Sequence, residues 1–454
     1  MAKRLRQFVA PTYLLLCLLA GGSAQGIWAN MGLQLVGLGL IAWAALERPA
    51  NKPLRPARQL MWIVGLALGW VALQLVPLPP SVWSALGPRA KFLEAYDLLG
   101  IAAPALPLSV APYATLAAVL TMIPPIALYV AIERLHAYRA SFLVAALIGG
   151  TIAGIALGAL QVASPDPNGS PYYLYRDVNF GVGTGFFANA NHMATLLLCA
   201  LPFLAAVAAS ARASGRQQSA AVAIAAVALA LLVAVGIAIN GSLAAYVLFL
   251  PVAAASALIV IKVGAAVRRG AIVAALLLLV GGVAVLNFTA IGGSSIGAEA
   301  AGSVQSRQEI LATTTKAMRA YMPLGSGLGT FRPVFDSFED PDRVTPTYSS
   351  HAHNDYAELA LELGLPGVFL LLLFFYWWGK AAMDSWRSPE SQPYVRAAVI
   401  ASGAILAHSM VDYPLRTAAI ASLFAMSLAF LADRVKSDRL EPSDLRPTRH
   451  VSLD

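Results

Sequence analysis

The chain has 454 residues, of which 58% are hydrophobic and only 12% are charged, and its net charge is +8. Soluble globular proteins contain about 45–50% apolar and about 25% charged residues, and no single soluble core buries this much apolar surface. The composition therefore excludes a soluble fold and predicts a polytopic membrane protein.

Twelve apolar runs are long enough to suggest membrane-spanning helices when the chain is scanned with a window of about 19 residues. Several are shorter than the roughly 20 residues of a perpendicular span, so the first two or the last two runs are candidates for a re-entrant pair. The sequence thus predicts an all-α polytopic membrane protein with about 12 transmembrane helices, within a range of 10–12. The runs lie at residues 8–22, 31–46, 60–77, 113–132, 140–162, 192–210, 218–238, 243–261, 271–289, 357–379, 397–411 and 417–432.

The distribution of the 31 Lys and Arg residues predicts the orientation, because cytoplasmic loops retain positive charge. With both termini in the cytoplasm, most of these residues fall in cytoplasmic segments and the opposite side is net acidic. The basic residues are dispersed among short loops, so the positive net charge reflects orientation and nucleic acid is not an expected partner.

Two long polar segments, 163–191 and 290–356, lie on the external side in this topology. Connections of this length usually carry function. Helical periodicity at 306–322 predicts a helix that lies on the membrane surface and ends at Pro323. The expected regions are N-terminal helices at 1–162, central helices with an entry loop at 163–289, a large external catalytic loop at 290–356, C-terminal helices at 357–433 and a cytoplasmic tail at 434–454.

The strongest cluster of polar residues is HAHNDYAELALELGLPG at 351–367, where an external loop enters a predicted span. Glu358 and Glu362 fall on one helix face within the predicted span. Ionisable groups inside a membrane span usually have a function, although simple pairing with an Arg is the alternative. His353 stands at the mouth, where an imidazole can accept a proton from a hydroxyl. The alternating histidines also suggest a metal chelate, but no third strong ligand has motif spacing, so no metal is expected.

A second group of polar residues is basic. Arg307 precedes the apolar face of the predicted surface helix and is suited to bidentate phosphate binding. Lys316, Arg319 and Arg332 extend a positive patch, whose alternative interpretation is a solvated surface. The GSGLG segment at 325–329 lacks the Lys of a nucleotide-binding loop and is predicted to be a turn.

Two further polar motifs border predicted spans. In GFFANANH at 185–192, Asn189 and Asn191 either cap a helix or bind sugar hydroxyls, and Arg176 lies just before. In HSMVDYPLR at 408–416, the spacing suggests an ion pair between Asp412 and Arg416.

Taken in this order, the motifs resemble the O-antigen ligase and polymerase superfamily of bacterial envelope enzymes. The resemblance covers roughly 170–430 and rests on GFFANANH, the Arg307-x-x-x-Leu311 step followed by PLGSGLGTF, the HNDYAELALELGLPG block and VDYPLR. Many relatives carry a motif similar to S-R-G where this chain has the sequence Asn240-Gly241-Ser242-Leu243. Leu243 cannot bind phosphate, so Arg176 or Arg416 is a candidate replacement, unless the donor is held differently or activity is lost.

The resemblance implies metal-independent transfer of a glycan from undecaprenyl pyrophosphate to an acceptor on the periplasmic face of the bacterial inner membrane, without a cofactor. It identifies Arg307 and His353 as the catalytic residues, and we expect Asp355 or Glu358 to orient His353. The residues expected to bind donor or substrate are Arg176, Asn189, Asn191, Asn354, Glu358, Arg319 and Arg416.

Three functions are consistent with these features. A ligase, favoured modestly by the large loop, transfers O-antigen to lipid A-core, whereas a polymerase extends a carrier-linked glycan. The expected partners are therefore the lipid-linked donor, lipid A-core or a growing glycan, and membrane lipid. A transporter or lipid flippase is the alternative from another class, but the chain shows no convincing internal repeat.

Overall fold

A computed structural model describes residues 5–433 except 25, 49–52, 214–218, 262, 265, 272, 275–276, 279–280, 282–294, 344–349 and 389–390, with backbone alone at 295–306 and 433. The regular secondary structure of the described part is helical apart from one short antiparallel strand pair, Pro77–Leu78 with Leu106–Pro107. In the N-terminal half the helices are α1 Val9–Ala20, α2 Trp28–Leu46, α3 Arg55–Gln74, α4 Pro80–Ser84, α5 Ala90–Leu98, α6 Pro112–Thr121, α7 Ile123–Glu133 and α8 Ala140–Val162. The others are α9 Ala190–Ala213, α10 Ser219–Asn240, α11 Leu243–Val260, α12 Ser295–Tyr321, α13 Phe331–Asp336, α14 Asp355–Arg387, α15 Pro393–His408 and α16 Ala418–Asp433.

Eight stretches of the described residues are long and apolar enough to cross a bilayer, which confirms an all-α polytopic membrane protein. They correspond to α2, α3, the α6–α7 pair, α8, α9, α10, α11 and α14. Three other predicted spans form helices of only 12 to 16 residues, namely α1, α15 and α16. The span predicted at 271–289 lies largely outside the described residues, and the tail at 434–454 lies wholly outside them.

Helix α9 forms the centre of the bundle. It packs against α10, α11 and α15, and 78% of the residues in its apolar stretch are buried. In the apolar stretches of α3 and α10 only 17% and 22% of the residues are buried, so these two helices present most of their surface outward. A helix that is apolar on all sides can lie either at the centre of the bundle or at its outer surface, and only tertiary packing decides which position it occupies.

The predicted helix at 306–322 is present within α12, which begins earlier, at Ser295. Its apolar face does not lie against lipid as expected. Ile310, Ala317 and Tyr321 are buried with Phe331 of α13 and Leu361 of α14. The expectation was wrong because the apolar stripe of an amphipathic helix is covered equally well by protein.

A sharp kink interrupts α14 at Gly364, whose φ of 62° lies in the left-handed region that glycine adopts readily. The predicted turn at 325–329 is confirmed, and it packs against this kink. A Cβ atom on Gly364 would overlap the carbonyl of Pro323, and one on Gly325 would overlap the carbonyl of Glu362. The close approach joins the end of α12 to the first part of α14.

Candidate active site

The entrance to α14 is fixed by its capping residue, Asn354. The Asn354 Oδ1 atom accepts hydrogen bonds from the backbone N–H groups of Tyr356 and Ala357, at 3.1 and 3.0 Å. Its Nδ2 atom donates to the carbonyl of Met410 at 3.0 Å. The cap thereby joins α14 to the segment 409–417 between α15 and α16, here called the 409–417 loop. The donor-binding role predicted for Asn354 stays a prediction.

His353 directly precedes this cap and contacts the 409–417 loop. Its Nδ1 atom lies 3.2 Å from Oδ1 of Asp412, and the imidazole is 26% exposed whereas the Asp412 side chain is only 1% exposed. Asp355 or Glu358 was expected to orient His353, and this expectation was wrong, because the carboxylate in contact with the imidazole is that of Asp412. A backbone φ of 48° at His353 directs its side chain to the neighbouring loop instead of along its own helix.

Asp412 remains an anion in this position. The same Oδ1 atom accepts a hydrogen bond from the backbone N–H of Tyr413 at 2.9 Å. Burial acts to raise the pKa of Asp412, but contact with His353 and the nearby imidazoles of His192 and His408 outweigh it and hold that pKa below its usual range. The result is a buried carboxylate that holds a partly exposed imidazole, which is the arrangement of a general base and its orienting acid.

Arg416 forms a second cluster at the base of the site. Its guanidinium lies 3.5 Å from Asp355, 3.1 Å from Glu358 and 3.3 Å from Glu362. The predicted shared face of the two glutamates is confirmed, as is the alternative that they pair with an Arg. The pair predicted between Arg416 and Asp412 was wrong, because a short 3-10 helix that begins at Pro414 turns Arg416 toward α14.

The electrostatics of this cluster follow from its composition. Burial acts to lower the pKa of Arg416, but three carboxylates outweigh this and raise it above its usual value. A guanidinium that already faces three carboxyl groups has little capacity left for a phosphate group. The donor-binding roles predicted for Arg416 and Glu358 stay predictions, and their geometry makes them partners of each other.

His351 contacts the same acidic group from the outer side. Its Nδ1 atom lies 2.8 Å from Oε1 of Glu358, whose Oε2 atom accepts the backbone N–H of Ala352 at 2.9 Å. His351 and His353 therefore contact different carboxylates and do not converge on one point. Among the described residues, no three His, Cys, Asp or Glu side chains are arranged to hold a metal ion.

Tyr413 lies at the centre of the histidines. Its ring centroid is 4.3 Å from that of His351 and 5.0 Å from those of His353 and His192. The side chains of Ser350 and Asn189 lie close to the phenol, and burial raises the pKa of Tyr413 to about 12. The sequence predicted no role for Tyr413, because the histidines that it contacts are distant in the chain and no local pattern indicates such a contact.

The GFFANANH motif forms the entrance to α9. The Asn189 Oδ1 atom accepts the backbone N–H of Asn191 at 2.8 Å, which is a capping contact. The Asn191 Oδ1 atom accepts from the hydroxyl of Ser242 at 2.7 Å. Leu243 follows and packs in a small cluster with Val411, beside Asp412. The capping alternative is therefore confirmed for Asn189, and sugar binding by either asparagine stays a prediction.

Three further arginines were predicted to act in catalysis or donor binding, namely Arg176, Arg307 and Arg319, and they occupy different positions. Arg307 lies on the stripe of α12 that continues through Ile310 and Ala317, is half-buried, and is within electrostatic range of His408. His408 in turn contacts the hydroxyl of Thr195 at 2.8 Å. Arg176 and Arg319 are exposed. Arg307 is thus the one of the three that the structure brings toward the histidines, and donor binding by the other two stays a prediction.

Arg89 was not singled out as important in the sequence. It is almost fully buried and donates hydrogen bonds to the carbonyls of Leu108 and Gly325 at 2.8 and 2.7 Å, and its guanidinium lies over the ring of Tyr321. It stabilises the 325–329 turn behind the site. Its role depends on tertiary contacts that no local pattern indicates.

Comparison with known protein families gives one match. A family model described as O-antigen ligase matches residues 226–372. These residues belong to the O-antigen ligase family. The O-antigen ligase match covers about a third of the chain and includes Arg307, His351, His353 and the acidic residues of α14, whereas Asp412 and Arg416 lie beyond its end. No curated protein matches the chain.

Proposed function

We propose that this protein is an inverting membrane glycosyltransferase that moves a glycan from undecaprenyl pyrophosphate to a hydroxyl of lipid A-core, and is thus an O-antigen ligase. The observation that carries the proposal is the pair formed by His353 and Asp412. A partly exposed imidazole held by a buried carboxylate is suited to activating an alcohol. The O-antigen ligase match over the same helix supports the choice of substrates.

In this mechanism His353 is the general base. The Asp412 carboxylate lies 3.2 Å from Nδ1 and favours the tautomer with the proton on that atom, so the Nε2 atom has a free lone pair for the hydroxyl proton of the acceptor. As the acceptor oxygen bonds to the anomeric carbon, the bond from that carbon to the pyrophosphate oxygen breaks on the opposite face. The proton moves to His353, and the anionic Asp412 stabilises the imidazolium that forms.

Arg307 is the group proposed to stabilise the leaving pyrophosphate. Negative charge develops on the phosphate oxygens as the glycosidic bond breaks, and a guanidinium binds two such oxygens without a metal ion. Its half-buried position on α12 supports this role, because a partly desolvated cation interacts more strongly than one in bulk water. Arg416, surrounded by carboxylates, is the poorer candidate.

The proposed location is the periplasmic face of the inner membrane, with both termini in the cytoplasm. This topology follows from the distribution of Lys and Arg residues. It places the site where the carrier's isoprenoid tail remains in lipid while its head group meets α12 and α14. Cysteine labelling at position 307 or 353 tests this topology, and cytoplasmic labelling of either position contradicts it.

The decisive experiment deletes the gene for this protein in the native host and examines the cells by lipopolysaccharide gel and by analysis of the carrier lipids. A ligase predicts unmodified core and polymer accumulated on undecaprenyl pyrophosphate. A polymerase instead predicts core that bears a single repeat unit. Restoration of the wild-type pattern by the intact gene, but not by a His353→Ala version, assigns the phenotype to the site.

A further inference from the structure

The site contains a second imidazole–carboxylate pair, formed by His351 and Glu358, that the mechanism above does not use. We propose that Nε2 of His351 binds a second hydroxyl of the acceptor sugar, beside the one that His353 activates, so that His351 determines which acceptor hydroxyl reacts. This inference rests on the proposed function and assigns a specificity-determining residue within it.

The hydrogen-bond donors around Glu358 determine the tautomer of His351. Glu358 Oε1 faces Arg416 at 3.1 Å, and Oε2 accepts the Ala352 N–H group at 2.9 Å. A carboxylate paired with a guanidinium is ionised and only accepts hydrogen bonds, so the His351 Nδ1 atom at 2.8 Å must be the donor. The Nε2 atom of the neutral ring is then an acceptor, and its natural partner is a hydroxyl group.

The position of His351 relative to His353 supports a shared ligand. Both rings pack against Tyr413, at centroid distances of 4.3 and 5.0 Å, and both are partly exposed, at 20% and 26%. Each is fixed through Nδ1 by a carboxylate that is almost fully buried. Two fixed acceptor nitrogens around one aromatic ring are suited to a molecule that has several hydroxyls, as a sugar does.

The surrounding charge favours the acceptor over the diphosphate as the ligand of His351. Glu358 contacts this ring and Asp412 contacts the neighbouring ring, and the guanidinium that faces Glu358, that of Arg416, also faces Asp355 and Glu362. An anionic phosphate would be repelled by this excess of carboxylates, whereas a neutral hydroxyl is not. The proposed phosphate ligand, Arg307, lies on a different helix, α12.

Two substitutions separate contact with the acceptor from a purely structural role. The amide of Asn occupies roughly the Nδ1 position, so His351→Asn keeps a donor for Glu358 and loses the outer group. The amide of Gln reaches roughly the Nε2 position, so His351→Gln keeps an acceptor for the sugar and loses the contact with Glu358. Both variants are made in the full-length protein and compared with wild type by thermal unfolding in detergent.

The assay uses lipid A-core purified from cells that lack the protein and undecaprenyl pyrophosphate-linked glycan extracted from the same cells. We expect His351→Asn to raise the KM for lipid A-core about tenfold, the loss of one hydrogen bond to a desolvated partner, with the KM for the donor unchanged. His351→Gln is expected to remain within about threefold of wild type for both substrates. His353→Gln, by contrast, is expected to lower kcat.

Several results would overturn the inference. The first is a rise in the KM for the donor in place of the KM for the acceptor, and the second is an acceptor KM that neither variant changes. The third is a larger defect in His351→Gln than in His351→Asn, because that result would indicate a structural role through Glu358. Failure of the wild-type protein to transfer glycan would instead contradict the proposed function itself, so the two failures are distinguishable.

Discussion

Asp412 holds the imidazole of His353 from a loop that joins two other helices, with 3.2 Å between the nearest nitrogen and oxygen atoms. Replacing Asp412 with Asn keeps the shape and removes the charge that stabilises the imidazolium. We expect Asp412→Asn to lower transfer about 100-fold or more while the protein still folds, and His353→Ala to abolish it. The measurement is the O-antigen ladder on lipopolysaccharide gels in cells that lack the native gene.

The matched control for these substitutions is His136→Ala. His136 is exposed, precedes α8 and has a positive φ like His353, so it tests for a general effect of removing such a histidine. It should leave the ladder unchanged. Normal display by the Asp412→Asn variant would show that the carboxylate does not assist His353.

Arg307 tests the proposal for the leaving group. Both Arg307→Ala and Arg307→Lys are expected to reduce transfer by about 100-fold or more, because a Lys ammonium cannot bind two phosphate oxygens in the same plane. Arg212→Ala, at the exposed end of α9, serves as the control. Transfer rates are measured with purified donor and acceptor, and full activity of Arg307→Lys would contradict bidentate binding.

Arg416 is expected to affect stability more than any of its partners does singly. Arg416→Gln removes the guanidinium from a buried group of three carboxyl side chains and should lower the free energy of unfolding by about 3–5 kcal/mol. Glu362→Gln removes one negative charge from an acidic group and should cost less. Thermal unfolding in detergent compares the two, and a smaller loss for Arg416→Gln would refute the interpretation of Arg416 as the central cation.

Gly364 tests the kink in α14. Gly364→Ala places a Cβ against the Pro323 carbonyl at a φ of 62°, and we expect a loss of about 1–3 kcal/mol in the free energy of unfolding. Gly379→Ala, farther along the same helix and with open space around it, should be neutral or stabilising by up to about 1 kcal/mol. Equal unfolding temperatures for the two variants would argue against a required kink.

Tyr413 gives a prediction about pH. Burial raises its pKa to about 12, so the neutral phenol is the form that folding favours. Its contribution to stability is complete below the ordinary Tyr pKa of about 10 and is lost as the pH rises through about 12. Tyr413→Phe should therefore leave the basic side of the transfer profile unchanged up to pH of about 10, and the disappearance of a basic limb in this variant would show that Tyr413 titrates during the reaction.

Local patterns predicted much of this protein, because hydrophobic period and length depend on neighbouring residues alone. The helix that contains Arg307, the shared face of Glu358 and Glu362, and the turn at 325–329 were all evident from spacing. The span lengths were less accurate, since α1 ends at Ala20 and α15 ends at His408, each before the end of its predicted apolar run.

The partners of the polar residues were harder to predict. Asp412 was expected to pair with Arg416 because four residues separate them, which is the spacing of one helical turn. Pro414 starts a 3-10 helix there, and each residue instead contacts a different part of the segment 353–362. Such pairings depend on how two distant segments pack, and periodicity contains no information about that.

The ion cluster at Arg416 also determines how the base is positioned. Asp412 is joined to this cluster through only four residues of backbone, and the cluster fastens that loop to the helix that follows His353. Opening the distance between acid and base would require separating opposite charges that are shielded from water. The separation of His353 and Asp412 is therefore rigid for an electrostatic reason, and substitutions at Glu362, remote from any sugar, should disturb the reaction as well as the fold.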